Sequence, residues 1–189
     1  MSLVLAGDPG GFHEDGLADV ADGLGGSYDR ARALEIMKDS RVGAFGVLAL
    51  VLSLMLKVSA LALIGATSVV ALAVALVLAH VASRAWPLLV ISWLPYIGDA
   101  AASKSKPLAD QISRSSLCAG FAWLLAAVSW AVWMQGTLFV IAPLFASFLA
   151  LLVMIRLLRR RLGGFNGDGL GATQQVCEIA CYLGLAVVL

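Results

Sequence analysis

Residues 11–46 read GFHEDGLADVADGLGGSYDRARALEIMKDSRVGAFG, and this stretch separates a polar segment from an apolar remainder. It holds seven of the chain's twelve acidic residues: Glu14, Asp15, Asp19, Asp22, Asp29, Glu35 and Asp39. On a helix, Asp15, Asp19 and Asp22 share one face at i, i+4 and i+7, and Glu35 and Asp39 repeat the i, i+4 spacing. Like charges on one helix face repel unless a cation sits between them, so the pattern points to a bound divalent ion. A hard ion such as Mg²⁺ takes carboxylate oxygens and keeps positions open for water or phosphate. The plainer alternative is a solvated acidic loop, with the Asp-Gly and Gly-Gly steps marking turns.

Outside that stretch the chain is built for lipid. Of 189 residues, 61% are hydrophobic and only 13% charged, with a mean hydropathy of +0.94, which excludes a soluble domain. A net charge of +1 with no clustered basic face argues against nucleic acid as a partner. The first residues lack the basic region and cleavage site of a signal peptide. Cys118, Cys177 and Cys181 lie in apolar context and form neither a zinc motif nor a disulfide framework.

The expected fold is all-α, a polytopic membrane bundle forming one domain over 1–189. Its apolar segments are 42–64, 67–97, 117–134, 137–155 and 173–189. The first is about 34 Å long at 1.5 Å per residue, enough for a hydrocarbon core of about 30 Å. Gly65, Ala66 and Thr67 read as a tight reversal. The 67–97 segment contains Pro87 and Pro95, so one kinked helix and two separate helices both fit it. Residues 98–116 read as a polar loop, and 156–172 as a basic, Gly-rich loop. Trp86, Trp93, Trp123, Trp130 and Trp133 read as interface anchors or helix packing.

Charge orients the bundle. Apart from Lys57 and Arg84, the thirteen basic residues fall at 30–41, 104–114 and 156–161. With 67–97 as one crossing, all three regions emerge on the same side, the cytoplasmic one by the positive-inside rule. The acidic stretch and the late Asn166-Gly167-Asp168 loop then share one face of the membrane.

Residues 10–46, GGFHEDGLADVADGLGGSYDRARALEIMKDSRVGAFG, resemble the signature of the cobalamin synthase family, adenosylcobinamide-GDP ribazoletransferase. GGFNGDGLGATQQVCEI at 163–179 is a second family-like segment, and the resemblance covers nearly the whole chain. It implies a bacterial inner-membrane enzyme that joins adenosylcobinamide-GDP to α-ribazole or its 5′-phosphate, with release of GMP. It also implies two apolar spans ahead of the acidic motif, where this sequence has MSLVLAGDPG. Asp19-Val20-Ala21-Asp22-Gly23 with Glu35-x-x-x-Asp39 further resembles the CDP-alcohol phosphotransferase pattern, without the Ala-Arg pair expected there.

For such a phosphoryl-type transfer, Mg²⁺ held by Asp15, Asp19, Asp22 and Asp39, with Glu35 as a further candidate, would neutralise the diphosphate. His13 or one of Asp15, Asp19 and Asp22 would take the hydroxyl proton. Lys38 and Arg41 are expected at substrate phosphate or beside the acids. Lys57 and Arg84 lie at membrane depth, where an ionisable group faces a partner or a polar cavity. Asn166, Asp168 and Glu178 are further substrate contacts, and the 163–172 loop would offer backbone N–H groups to phosphate. A divalent-cation transporter is the competing reading, but its acids would lie within spans, and most here do not. An inactive, N-terminally short family member is the other. The sequence leaves the oligomeric state open, a homo-oligomer included.

Overall fold

The computed structural model describes residues 11–98 and 112–189, and every described element of regular structure is helical apart from one isolated bridge. In chain order these are α1 (Phe12–Gly26), α2 (Arg30–Met37), α3 (Ala44–Thr67), α4 (Val69–Trp93), α5 (Arg114–Gln135), α6 (Leu138–Arg161) and α7 (Gly167–Ala186). Helices α3, α4, α5 and α6 are long and apolar enough to cross a membrane. The protein is an all-α polytopic membrane bundle. Most of the expected 98–116 loop lies outside the described residues.

The expected reversal at Gly65–Thr67 is not where the chain turns. Helix α3 runs through Thr67, and the turn is made by Ser68 alone, at φ −165° and ψ 133°. Its N–H donates to Ile64 O at 3.2 Å, closing α3. Its Oγ accepts from the N–H groups of Val70 and Ala71 at 3.2 and 3.3 Å, opening α4. One serine thus satisfies backbone groups that both helix ends would leave orphaned. The 67–97 segment is one helix, continuous through Pro87, and it stops at extended Leu94, the residue before Pro95.

Residues 156–172 are mostly helix rather than loop. Helix α6 carries Arg156, Arg159, Arg160 and Arg161, and α7 starts at Gly167, leaving a short connector. Gly163 occupies the left-handed region at φ 76°, which terminates α6. A side chain at Gly164 would collide with the Pro95 carbonyl. That close approach allows Phe165 N–H to donate to Pro95 O, and Ile97 N–H to Phe165 O, each at 2.9 Å. The end of α4 is thereby tied to the start of α7. Arg161 completes the polar end by donating to Leu24 O and Ser27 O at 3.0 and 2.8 Å and stacking over Tyr28.

Helix α7, expected as an apolar span from 173, is the buried centre of the bundle, packed by α1, α3, α4 and α6. It buries Thr173, Gln174, Gln175 and Glu178 together with Cys177, Cys181, Tyr182 and Leu185. Small residues let neighbours close on it: a Cβ at Gly184 would stand 2.9 Å from Ala142 O on α6. Trp86 is a packing residue, its indole N–H donating to Ser147 Oγ, which donates to Cys177 O, both at 2.8 Å.

Candidate functional site

Helix α1 lies against the start of α7 because glycines remove the side chains between them. A Cβ at Gly16 would stand 2.8 Å from Asp168 O, and one at Gly171 would stand 3.2 Å from His13 Cα. The two family-like segments therefore meet backbone to backbone. This contact sets Asp15 and Asp19 of α1 in the same field as Asp168 in the first turn of α7, at the polar end of the bundle. Burial, then the charges of Asp168, Asp15 and Asp22, push Asp19 up to about 7 from 3.8. Burial and Asp15 also raise Asp168, against a lowering hydrogen bond from Asn166 Nδ2 at 2.9 Å. Asn166 additionally caps α7, accepting from Gly169 N–H at 2.9 Å.

Asp22 has a different task. It is 8% exposed, and its two carboxylate oxygens accept from Gly43 N–H at 2.7 Å and Gly46 N–H at 2.8 Å. It caps the N-terminus of α3 from another helix, where negative charge is favoured. Side chains at Gly43 or Gly46 would run into its carboxylate.

The later acids point away from this cluster. Glu35 pairs with Arg32 at 2.6 Å, and Asp39 pairs with Arg41 at 2.6 Å, on the surface of α2 and the segment after it. The Arg41 hydrogen bonds hold Asp39 down to about 2. Glu35, Asp39, Arg32 and Arg41 line an open groove of about 580 Å³ between α2 and the start of α3, with Asp22 also on its wall. Lys38 is exposed on the same turn.

At membrane depth a third set of polar groups joins α3, α4 and α7. Glu178, 5% exposed at its side chain, faces Lys57 Nζ at 3.3 Å and His80 Nδ1 at 3.5 Å. It also accepts from Gln174 Nε2 at 2.8 Å and Tyr182 OH at 3.2 Å. Lys57 donates to Gln175 Oε1 at 2.6 Å, and Gln175 Nε2 donates to Glu14 Oε1 at 3.0 Å. A continuous chain of hydrogen bonds thus runs from the middle of α3 to the acidic face of α1. Arg84 is exposed one turn beyond His80, whose carbonyl it meets at 3.1 Å.

The sequence matches the family described as cobalamin-5-phosphate synthase over residues 2–186. The chain belongs to the cobalamin-5-phosphate synthase family. It is 57% identical to the adenosylcobinamide-GDP ribazoletransferase of Polaromonas naphthalenivorans, over 95% of this chain and 69% of that protein. A protein of the same name from Albidiferax ferrireducens is 56% identical, over 94% and 69%. One from Shewanella amazonensis is 45% identical, over 95% and 68%. No solved structure matches.

Against that family signature, the geometry sorts the expected residues into groups. Asp15, Asp19 and Asp168 come together, with His13 one turn along the same helix contact. Asp22 is engaged as a cap, and Glu35, Asp39, Lys38 and Arg41 belong to the outer groove. Among the described residues, no three His, Cys, Asp or Glu side chains stand close enough together to hold a metal ion. The fit to Mg²⁺ rests instead on donor chemistry: hard oxygens, mutually repelling and partly exposed, are what such an ion neutralises. Glu14, His80, Gln174, Gln175, Tyr182 and Ser83, whose Oγ accepts from Gln174 Nε2 at 3.1 Å, were missed as network members. The available signal was Gln174-x-x-x-Glu178-x-x-x-Tyr182, a polar stripe at i, i+4 and i+8 on a helix read as apolar.

Proposed function

We propose that this protein carries out the reaction for which its relatives are named, joining adenosylcobinamide-GDP to α-ribazole or α-ribazole 5′-phosphate. A ribose hydroxyl oxygen forms a new bond to the diphosphate phosphorus that bears the cobinamide, the bridging P–O bond breaks, and GMP leaves. The products are adenosylcobalamin, or its 5′-phosphate, and GMP. What carries the reading is the meeting of Asp15 and Asp19 with Asp168, acids from the two segments in which the family resemblance is concentrated.

Phosphoryl transfer asks a protein mainly for positioning and charge neutralisation. Asp15, Asp19 and Asp168, too far apart to chelate an ion by themselves, would share Mg²⁺ with the diphosphate oxygens, and the ion when bound neutralises the diphosphate and stabilises the attacking and leaving oxygens. His13 or a carboxylate of the cluster takes the hydroxyl proton. The outer groove, joined to the cluster through Asp22, receives the guanylyl end of the donor, with Arg32 and Arg41 beside its phosphates. Lys57 and Glu178 hold α3 and α7 in register beneath the site. The concentration of arginines at the polar end supports placing that end in the cytoplasm of a bacterial inner membrane.

The test is GMP release by membranes containing the chain, supplied with adenosylcobinamide-GDP, α-ribazole and Mg²⁺. EDTA-sensitive GMP release with cobalamin formation is expected. GMP release that EDTA leaves untouched contradicts the cation assignment, and no GMP release contradicts the activity.

A further inference from the structure

The acid-bearing helix α1 is held by two of its own carboxylates. Asp22 caps α3 through the N–H groups of Gly43 and Gly46. Glu14, half-buried and one residue before Asp15, accepts from Gln175 Nε2 at 3.0 Å through its Oε1. Asp15 and Asp19 lie between these two anchors. Asp19 is set by burial and by the charges around it, with no side-chain hydrogen bond among the described residues. Its place opposite Asp168 therefore depends on what holds α1.

Gln175 supplies that hold from α7. It is 3% exposed, and both ends of its amide are engaged. Oε1 accepts from Lys57 Nζ at 2.6 Å, while Nε2 donates to Glu14 Oε1 and to Gln174 Oε1, each at 3.0 Å. This orientation has no alternative, because an ammonium only donates and an ionised carboxylate only accepts. Gln174 is fixed in turn, its Nε2 donating to Ser83 Oγ at 3.1 Å and to Glu178 Oε2 at 2.8 Å. The amide pair thus draws on α3 through Lys57 and on α4 through Ser83, and it delivers one contact to α1, at Glu14.

Apolar side chains of similar volume would pack such a helix centre at least as stably as buried polar ones. What they could not do is join a buried ammonium on α3 to a carboxylate on α1. That link fixes the height and rotation of α1 on α7.

We propose that Gln175, anchored by Lys57, is a positioning residue for the transfer, holding Glu14 so that Asp15 and Asp19 stand opposite Asp168. This rests on the transferase reading and gives Glu14 a supporting role, apart from the groups that meet cation, diphosphate or proton. A displacement of about 1 Å at such a site costs on the order of 10²-fold in rate.

The experiment measures kcat and KM for GMP release in membranes carrying the full chain. It also measures Tm in detergent with and without Mg²⁺ plus adenosylcobinamide-GDP. Glu14→Ala and Gln175→Leu are each expected to lower kcat roughly 10–100-fold, with a change in the KM for α-ribazole of less than about three-fold. Both should also shrink the rise in Tm that Mg²⁺ and the donor give together. Glu14→Gln keeps an oxygen for Gln175 to donate to, and should stay within about three-fold of the unaltered chain. Glu14→Ala combined with Gln175→Leu should lose no more than the worse single variant, since both remove the same link.

Glu14→Gln as slow as Glu14→Ala would overturn the proposal, because Glu14 would then act through its charge. Losses that multiply in the double variant would overturn it too. So would a lower Tm with kcat per inserted protein and the ligand-induced rise unchanged, the mark of an amide that only stabilises. If Gln175→Leu fails to insert, the two Glu14 variants decide the matter alone. No GMP from the unaltered chain would instead defeat the transferase reading.

Discussion

Asp15 with Asp19 and Glu35 with Asp39 are the same motif twice, two acids four residues apart in one acidic stretch. Their fates differ. Of the first pair, Asp19 is half-buried beside α7, where Gly16 and Gly171 let the helices close, and the charges of Asp168 and of exposed Asp15 help to raise it to about 7. The second pair lies on a short surface segment, each acid matched by its own arginine, and Asp39 falls to about 2. Spacing puts acids on a common face, but what that face meets decides their chemistry. Repulsion among inward acids is what a bound cation relieves, and outward acids paired with arginine have no such need.

The contrast can be broken in graded ways. Asp19→Asn should lower GMP release by roughly 10²–10³-fold while the protein still inserts, measured in membranes at matched expression. Lys57→Met would turn Glu178 from a compensated into an uncompensated buried acid, at a cost of about 3–5 kcal/mol, seen as a fall in Tm in detergent. Lys57→Met with Glu178→Leu should recover much of that loss. Asp22→Ala removes the cap on α3 and should cost about 0.5–2 kcal/mol in the same assay.

The titration of Asp19 gives a prediction of opposite sign to the usual acid. Its pKa is higher in the folded protein than the ordinary 3.8, so the folded state holds a proton that the unfolded state has lost. The stabilisation is complete below about 4 and disappears as pH rises through about 7. Without divalent cation, Tm should therefore fall across that window. Mg²⁺ should restore it near neutrality, and Asp19→Asn should flatten the dependence. The smallest effect belongs to the outward pair: Glu35→Gln and Asp39→Asn, both at exposed surface ion pairs, should leave Tm unchanged within error.

Much of the fold was legible from composition and periodicity. Four spans follow from runs of apolar residues, and the distribution of arginines and lysines gives a topology that brings both family-like segments to one end. Local backbone chemistry was harder to read. Ser68 makes the α3–α4 turn because its hydroxyl caps a helix, whereas the sequence suggested the reversal at Gly65, Ala66 and Thr67, which are the last residues of α3. The start of α7 was misplaced because Gly167–Ala172 reads as a loop, while its glycines are there to admit α1. The acids could be counted but not sorted, since nothing in i, i+4 spacing shows that Asp22 will cap α3. Gln174 and Gln175 were passed over because glutamine within an apolar stretch carries no charge to notice.

The most direct test of the division between inward and outward acids is the Mg²⁺ dependence of GMP release by the unaltered chain, Asp168→Asn and Asp39→Asn. We expect Asp168→Asn to need at least ten-fold more Mg²⁺ for half-maximal rate, and Asp39→Asn to follow the unaltered chain. A shift with Asp39→Asn and none with Asp168→Asn would contradict it, placing the cation in the outer groove.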